Sequence, residues 1–145
     1  MLDSLVGRRV YVDANVFIYF LDQSTPQSAA AHAALEAAAA GNFAAVTGHA
    51  AIAEVMVGPY RHGDPLVVRK VKEFFGSATW LDTVDHPAQA FDDAALLRAT
   101  SGMPFVDALH VATASLSRCD VVLTRDARMK PGLGVNVVAL SAASG

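Results

Sequence analysis

The stretch RRVYVDANVFIYF, residues 8–20, places an aspartate and an asparagine between two apolar segments. Its first part, RRVYV, has the β-branched and aromatic content of a buried strand. If this strand is central in a parallel sheet, Asp13 stands at its carboxyl end, where open α/β sheets keep their ligand crevice. Alternatively, Asp13 only caps a short helix that follows it, since aspartate is a favoured N-cap residue.

Predicted helices and strands alternate along the rest of the chain. Thr25 as N-cap, Pro26 in the first turn and Gly41 just past the end predict a helix over residues 26–40. A second helix, AAIAEVMVG, is predicted to stop at Gly58-Pro59. The remaining predicted helices cover residues 64–76, 86–102 and 104–117, and the remaining strands cover residues 43–47, 78–84, 120–124 and 135–140.

This alternation predicts an α/β/α sandwich, in which a five-stranded parallel sheet is covered by helices on both faces through right-handed crossovers. The chain has 145 residues, of which 53% are hydrophobic and 17% charged. A chain of that length and composition can bury a well-filled core. No linker-like segment divides the sequence, so we expect residues 1–145 to form a single domain.

Composition also excludes several classes of protein. The net charge of −3 lacks the strong basic footprint of a protein that coats duplex nucleic acid. Charged residues or histidine interrupt the apolar stretches well short of the roughly 18 residues of a membrane span, so we expect a cytoplasmic protein with no membrane contact. Cys119 is the only cysteine; it forms no intramolecular disulfide or thiolate zinc site, and we expect a buried, hydrophobic role.

Three further carboxylates share the unusual setting of Asp13. Asp126 follows the strand DVVLT by two residues, and Glu54 and Asp107 lie on helices with apolar neighbours, so we expect both to be buried. Burying an unpaired carboxylate costs several kcal/mol, whereas a helix dipole offsets only about 0.3–1 kcal/mol. Arginines can pair with one or two of these acids, and a divalent cation can compensate all of them.

Carboxylate oxygens suit Mg²⁺ or Mn²⁺, which keep several waters, leave room for a phosphate and activate water. The predicted chemistry is hydrolysis of a phosphate ester. Asn15 and Thr124 are either turn and cap residues or groups that orient a carboxylate or a metal-bound water. His110, one turn after Asp107, either bonds to that carboxylate or is a histidine satisfied elsewhere in the interior.

Hydrolysis of a phosphate ester without a metal would instead use histidines as general acid and base. His49 precedes the Glu54 helix and is equally explained as a residue of the cap region. The sequence context of His32, His62 and His86 offers no paired partner, and no role is assigned to them.

The segments VDANVFIYF, AAIAEVMVGP, MPFVDALHVATA and VVLTRDARM, in this order, resemble the PIN-domain ribonucleases, and most closely the VapC-type toxins of bacterial toxin-antitoxin pairs. The resemblance covers about the whole chain. It implies the same five-stranded parallel sandwich and an endoribonuclease that depends on Mg²⁺ or Mn²⁺ and cuts structured RNA such as transfer or ribosomal RNA. It also implies a cognate antitoxin, whose C-terminal segment fills the crevice, and a homodimer.

By matching position, the resemblance implies that the catalytic and metal-binding residues are Asp13, Glu54, Asp107 and Asp126. Asp13 and Asp107 would be the firmest ligands, Asp126 would bind directly or through water, and Glu54 would hold a metal or activate the attacking water. Arg125 stands where the family usually has asparagine; it is predicted either to pair with Asp126 or to bind substrate phosphate, and Arg128 is a second candidate for phosphate.

Two other functions are weighed against this one. A haloacid-dehalogenase-like phosphatase would need a second carboxylate two positions after Asp13, where this chain has Asn15. A noncatalytic PIN-like module that binds RNA or a partner stays open as the alternative. The four intact acids argue against it, and a cleavage assay separates the two.

Overall fold

The computed structural model describes residues 1–141, and a five-stranded sheet forms its centre. The strands are β1 (Arg9–Val12), β2 (Ala44–Gly48), β3 (Leu81–Val84), β4 (Val121–Thr124) and β5 (Asn136–Ala139). Their order across the sheet is β3-β2-β1-β4-β5, and every neighbouring pair is parallel. The predicted parallel sheet is confirmed, and β1 is its central strand.

In the described residues, six α-helices follow or connect the strands: α1 (Ala14–Leu21), α2 (Gln27–Ala39), α3 (His49–His62), α4 (Pro65–Ser77), α5 (Ala88–Ser101) and α6 (Phe105–Leu116). Alternate residues of β1 point to opposite faces of the sheet, as strand geometry requires. Val10 and Val12 pack in a core formed mainly with α1 to α4, and Tyr11 packs in a second core with α5 and α6. The predicted three-layer sandwich is therefore confirmed.

Two helix boundaries differ from the sequence prediction. The third helix passes through Pro59 and ends only at Gly63, whose φ of 82° is a left-handed conformation that suits glycine. Proline lacks an N–H and so removes one helical hydrogen bond, but Val55 and Met56 still anchor α3 in the core and Gly63 N–H donates to the Pro59 carbonyl. Helix packing and the glycine therefore decide where α3 stops.

The start of α2 is the second difference. Thr25 does not provide a side-chain cap: its Oγ1 is buried and has no hydrogen-bond partner within residues 1–141. Pro26 already has helical angles, φ −60° and ψ −29°, so the backbone carbonyl of Thr25 accepts from Ser28 N–H instead. By contrast, Asp64 caps α4 as a favoured N-cap residue should, and Gly102 ends α5 as predicted.

Two predictions from composition can be compared with the described part of the chain. Cys119 is buried and free, as expected for a small hydrophobic residue. Within residues 1–141, no helix has both the length and the apolar character needed to cross a membrane.

Candidate active site

The four acidic residues singled out in the sequence come from four different elements. Asp13 follows β1, and Asp126 follows the neighbouring β4; the Asp13 N–H donates to the Leu123 carbonyl at 3.0 Å, which continues the ladder between these strands. Glu54 lies midway along α3, and Asp107 lies in the first turn of α6. These carboxylates are close enough to affect one another. Besides burial, the charge of Glu54 raises the pKa of Asp13, and the charges of Asp126 and Asp13 raise the pKa of Asp107.

Asp13 is buried and accepts hydrogen bonds on both oxygens. Its Oδ1 accepts from Ala14 N–H at 2.8 Å, so the residue caps α1 and also lies at the carboxyl end of β1. Its Oδ2 accepts from the Thr124 hydroxyl at 2.7 Å and from Asn15 Nδ2 at 3.2 Å. Burial raises the pKa of Asp13, although His110 and the Thr124 hydrogen bond act in the opposite direction. Asp13 therefore caps α1, as one sequence interpretation predicts, and it also lies at the carboxyl end of β1, where the other interpretation places a ligand crevice.

Asn15 and Thr124 link the ends of the two central strands. Thr124 Oγ1 accepts from Asn15 Nδ2 at 3.2 Å and from Asp126 N–H at 2.9 Å. Asn15 Oδ1 accepts from Arg125 N–H at 3.0 Å. These bonds hold Asp13 and the loop of Asp126 in one hydrogen-bonded network, so Asn15 and Thr124 contact the carboxylate that the sequence predicts they orient.

Asp107 and Asp126 form the opposite side of the site. Their carboxyl groups lie within hydrogen-bonding distance, and burial, followed by Asp126, raises the pKa of Asp107 to about 7. The Arg128 guanidinium lowers the pKa of Asp126 to about 2 by donating to both carboxylate oxygens at 3.1 Å. When both acids are ionised neither can donate, and Asp107 Oδ2 is buried without a hydrogen-bond partner in the described residues.

Glu54 differs from the burial expected for it. Its side chain is 44% exposed, and Oε1 lies 2.6 Å from His110 Nε2. Glu54 borders an open groove of about 410 Å³, lined by residues of α1, α3 and α4. Its apolar neighbour Ala51 lies in the core, so the apolar helix face is only partly buried and does not enclose the Glu54 carboxylate.

His110 is fully buried and does not bond to Asp107. Its Nδ1 lies 2.7 Å from the Tyr11 hydroxyl, and its Nε2 lies 3.7 Å from Asp13 Oδ1 as well as close to Glu54. His110 lies one turn after Asp107 on α6, and its ring contacts Tyr11 of β1 and Glu54 of α3. Both ring nitrogens therefore face away from Asp107. The predicted bond to Asp107 is wrong, and the alternative of an interior histidine satisfied elsewhere holds.

The arginine predictions are also corrected. Arg128, and not Arg125, pairs with Asp126. Arg125 Nη1 donates to the Leu140 carbonyl at 3.1 Å, and its backbone N–H donates to Asn15. The Arg128 side chain is 72% exposed and extends into solvent beside Asp126.

Sequence reasoning missed two residues that support the site, Tyr11 and His86. A tyrosine inside a buried strand needs a partner for its hydroxyl, which was an available signal. His86 Nε2 accepts from Ala50 N–H at 2.9 Å and its Nδ1 lies 2.6 Å from Thr113 Oγ1, so it caps α3, which has no cap from its own Gly48. Burial is the main cause that lowers the pKa of His86, consistent with this acceptor role.

Gly48 makes this arrangement possible. A Cβ added there would lie 2.5 Å from both the Tyr11 hydroxyl and the His86 ring, a separation too short for either contact. The absence of a side chain lets both rings approach the start of α3, which carries Glu54.

The donor set fits a divalent cation. Oxygens of Asp13 and Glu54 and a nitrogen of His110 all lie within 4.8 Å of one another; Asp107 and Asp126 are not part of this close group. Asp107 nevertheless has a buried oxygen that lacks a partner among residues 1–141. Burial raises the pKa of both Asp13 and Asp107, and neighbouring carboxylates raise it further, Glu54 for Asp13 and Asp126 and Asp13 for Asp107. A cation beside them would relieve this electrostatic cost. Oxygen-rich sites of this kind favour hard cations.

The fold and the site define an open α/β protein whose acidic side chains converge at the carboxyl ends of adjacent central strands, where the chain order reverses across the sheet. The PIN domain model matches residues 10–131. The chain belongs to the PIN domain family, which confirms the resemblance inferred from the four segments.

Solved structures with the same fold include toxins in complex with antitoxins. A toxin-antitoxin complex from Klebsiella pneumoniae is 22% identical, with a TM-score of 0.64, and the match covers 89% of this chain and 95% of the other. VapBC2 from Rickettsia felis, bound to a DNA fragment from its promoter, is 15% identical, with a TM-score of 0.72 and coverage of 92% and 99%.

A third structure is VapC20 of Mycobacterium tuberculosis, a toxin that cleaves the sarcin-ricin loop. It is 14% identical, with a TM-score of 0.64, and the match covers 78% of this chain and 86% of that one. No curated protein sequence matches this chain. At these identities the likeness to the three structures concerns the fold.

Proposed function

We propose that this chain is a metal-dependent endoribonuclease and the toxin of a type II toxin-antitoxin pair. The observation that carries the nuclease proposal is the buried Asp107 oxygen, which lies beside two further carboxylates and has no partner within residues 1–141. A buried carboxylate without a hydrogen-bond partner costs several kcal/mol, and such groups cluster at functional sites. Family membership and the toxins among the structural neighbours support the same proposal.

Asp13, Asp107 and Asp126 would hold Mg²⁺ or Mn²⁺, and Glu54 would complete the site from α3. The bound ion would supply a polarised water and would neutralise charge on a phosphodiester. Asp13 is held by its three hydrogen bonds, so it would present the same oxygens before and after substrate binds. Asn15, Thr124 and His110 would keep these carboxylates oriented.

Glu54 is the most accessible of the acids, since its side chain is 44% exposed and borders the open groove. It is therefore placed to hold a proton from an attacking water. Arg128 could exchange its contact with Asp126 for a substrate phosphate, and Arg125 could bind phosphate if it leaves the Leu140 carbonyl. Both arginines would then offset the repulsion between the acidic site and the RNA backbone.

The proposed partners follow from the same surfaces. The substrate would be a structured RNA, such as transfer or ribosomal RNA, and the site would operate in the cytoplasm. The C-terminal segment of a cognate antitoxin would fill the groove beside Glu54, where Ile18 and Leu21 of α1 are exposed. Phe105 and Val106, also exposed, at the start of α6, would contribute to a homodimer.

The test is RNA cleavage by the purified chain, residues 1–145, with total transfer RNA and ribosomal RNA in Mg²⁺, Mn²⁺ or EDTA. We expect cleavage only with the divalent ions, and none with Asp13→Asn or Asp107→Asn. Asp92→Asn, an exposed position on α5, is the matched control and should cleave as the wild type does. Cleavage that persists in EDTA or in both site variants would reject the metal mechanism. If the wild type binds RNA and never cleaves it, the noncatalytic module is the correct function.

A further inference from the structure

A chain of hydrogen bonds connects the middle of β1 to the acidic site. The Tyr11 hydroxyl lies 2.7 Å from His110 Nδ1, and His110 Nε2 lies 2.6 Å from Glu54 Oε1. Tyr11 and His110 are fully buried, whereas Glu54 is 44% exposed. Of these three hydrogen-bonded side chains, only Glu54, a carboxylate of the site, reaches solvent.

The surroundings of the ring define which nitrogen carries the hydrogen. Nε2 faces two carboxylates, Glu54 at 2.6 Å and Asp13 at 3.7 Å, so it is the donor. Nδ1, on the opposite side of the ring, then accepts from the Tyr11 hydroxyl, which lies 2.7 Å away. The Nε2–H tautomer satisfies all these contacts.

The same distances argue against the imidazole as a direct ligand. Two ligands of one octahedral Mg²⁺ or Mn²⁺ ion, each about 2.1 Å from the metal, lie about 3 Å apart. The separation of 2.6 Å between Nε2 and Oε1 is shorter, and it is typical of a strong hydrogen bond to a charged acceptor. The ring therefore binds the carboxylate.

We propose that His110 is a positioning residue, whose Nε2–H holds the Glu54 carboxylate at the site while the Tyr11 hydroxyl holds the ring in the donating tautomer. This inference rests on the proposed function. A glutamate on an exposed part of a helix has several accessible rotamers, and most of them would turn its carboxylate into solvent. The buried ring selects the one rotamer that faces Asp13.

Loss of the donor should lower the affinity for Mn²⁺ and the kcat for RNA cleavage by about 10- to 100-fold, with little change in the KM for RNA. His110→Gln keeps an amide N–H close to the position of Nε2, so it should restore most of the activity. His110→Asn places its amide near the position of Nδ1 only, so it should not. His32→Gln on α2, where the ring packs against Phe20, is the matched control.

Spectroscopy provides readouts that do not depend on cleavage. Long-range ¹H–¹⁵N NMR of the metal-free protein should show His110 as the Nε2–H tautomer, and Tyr11→Phe should produce a mixture of tautomers. With Mn²⁺ bound, pulsed EPR should show no nitrogen coupled as strongly as a directly bound imidazole.

The outcomes separate the inference from the function on which it rests. If the wild type cleaves RNA and His110→Asn matches His110→Gln in kcat and Mn²⁺ affinity, the positioning role is overturned and the nuclease stands. A strongly coupled nitrogen, or an Nδ1–H tautomer, would overturn the proposed arrangement as well. If the wild type neither binds Mn²⁺ nor cleaves RNA, the proposed function fails, and the positioning role fails with it.

Discussion

Asp13 and Asp107 are both buried carboxylates at the same site, and burial raises the pKa of both, yet their surroundings differ. Asp13 accepts three hydrogen bonds, from Ala14, Asn15 and Thr124. Asp107 Oδ2 accepts none within the described residues. The fold itself therefore fixes the position of Asp13, whereas the negative charge of Asp107 would be stabilised further by a cation.

This difference gives the two carboxylates different roles in the proposed site. A carboxylate held by neutral donors remains oriented whether or not a cation is present. A carboxylate without donors is destabilised when ionised, and it gains most when a cation binds. Asp107 is accordingly the residue at which binding and stability should be most tightly coupled.

The largest expected effect is on cleavage, where the two acids should behave alike. Asp13→Asn and Asp107→Asn should each lower kcat by at least about 10²- to 10³-fold, because each removes an anionic ligand that contributes several kcal/mol to charge stabilisation. Single-turnover cleavage with saturating Mn²⁺ measures this. Full activity in either variant would show that only one of the two carboxylates serves the chemistry.

The same two substitutions should change the stability of the protein in opposite directions. At pH 8 without metal, Asp107→Asn should raise the melting temperature by several degrees, because it removes a buried charge that lacks a partner. Asp13→Asn should lower the free energy of unfolding by about 1–3 kcal/mol, because its new NH₂ group faces the Asn15 and Thr124 donors. Thermal and urea unfolding measure both effects, with Asp92→Asn as control. Shifts of equal sign would remove the distinction between the two carboxylates.

A pH series tests whether the pKa of Asp107 is raised. Its pKa of about 7 lies above the ordinary value of 3.8, so its contribution to stability is present below pH 3.8 and is lost as pH rises through about 7 in metal-free protein. Mn²⁺ must displace that proton, so affinity should fall as pH drops below 7, approaching about tenfold for each pH unit well below the pKa. Calorimetric titrations between pH 5.5 and 8 test this. A flat affinity over that range would contradict the raised pKa.

The smallest expected effect concerns Asp126, whose charge is stabilised by Arg128. Arg128→Gln should raise the pKa of Asp126 from about 2 toward its usual range and make it resemble Asp107. Folding stability should change little, since the arginine is 72% exposed and exposed ion pairs contribute little. NMR titration of the Asp126 carboxyl carbon follows the shift. An unchanged pKa would show that Arg128 does not stabilise the carboxylate.

The sequence predicts the sheet well, because a buried strand and its carboxyl end are local properties of the chain. The strand before Asp13 and the apolar strand before Asp126 are neighbours in the interior of the sheet. Both acids follow the carboxyl ends of these parallel strands. Parallel alternation of strands and helices leaves few other arrangements. The convergence of these two residues was therefore predictable without coordinates.

The partners of individual side chains were not predictable in the same way. Glu54 borders a groove formed with α1 and α4, although Ala51 on the same helix face lies in the core. His110 bonds across to Glu54 and Tyr11, two residues that are distant in sequence. Arg128 takes the place predicted for Arg125, whose side chain bonds to the Leu140 carbonyl instead. Each error concerns a contact between elements.

The most direct test of the central claim, that these acids jointly hold a divalent cation, is a calorimetric titration of metal-free protein with Mn²⁺ at pH 8. We expect saturable binding in the wild type and in Asp92→Asn, and its loss in Asp13→Asn and in Asp107→Asn. Wild-type protein that binds no Mn²⁺, or binds it equally well without Asp107, would contradict the claim.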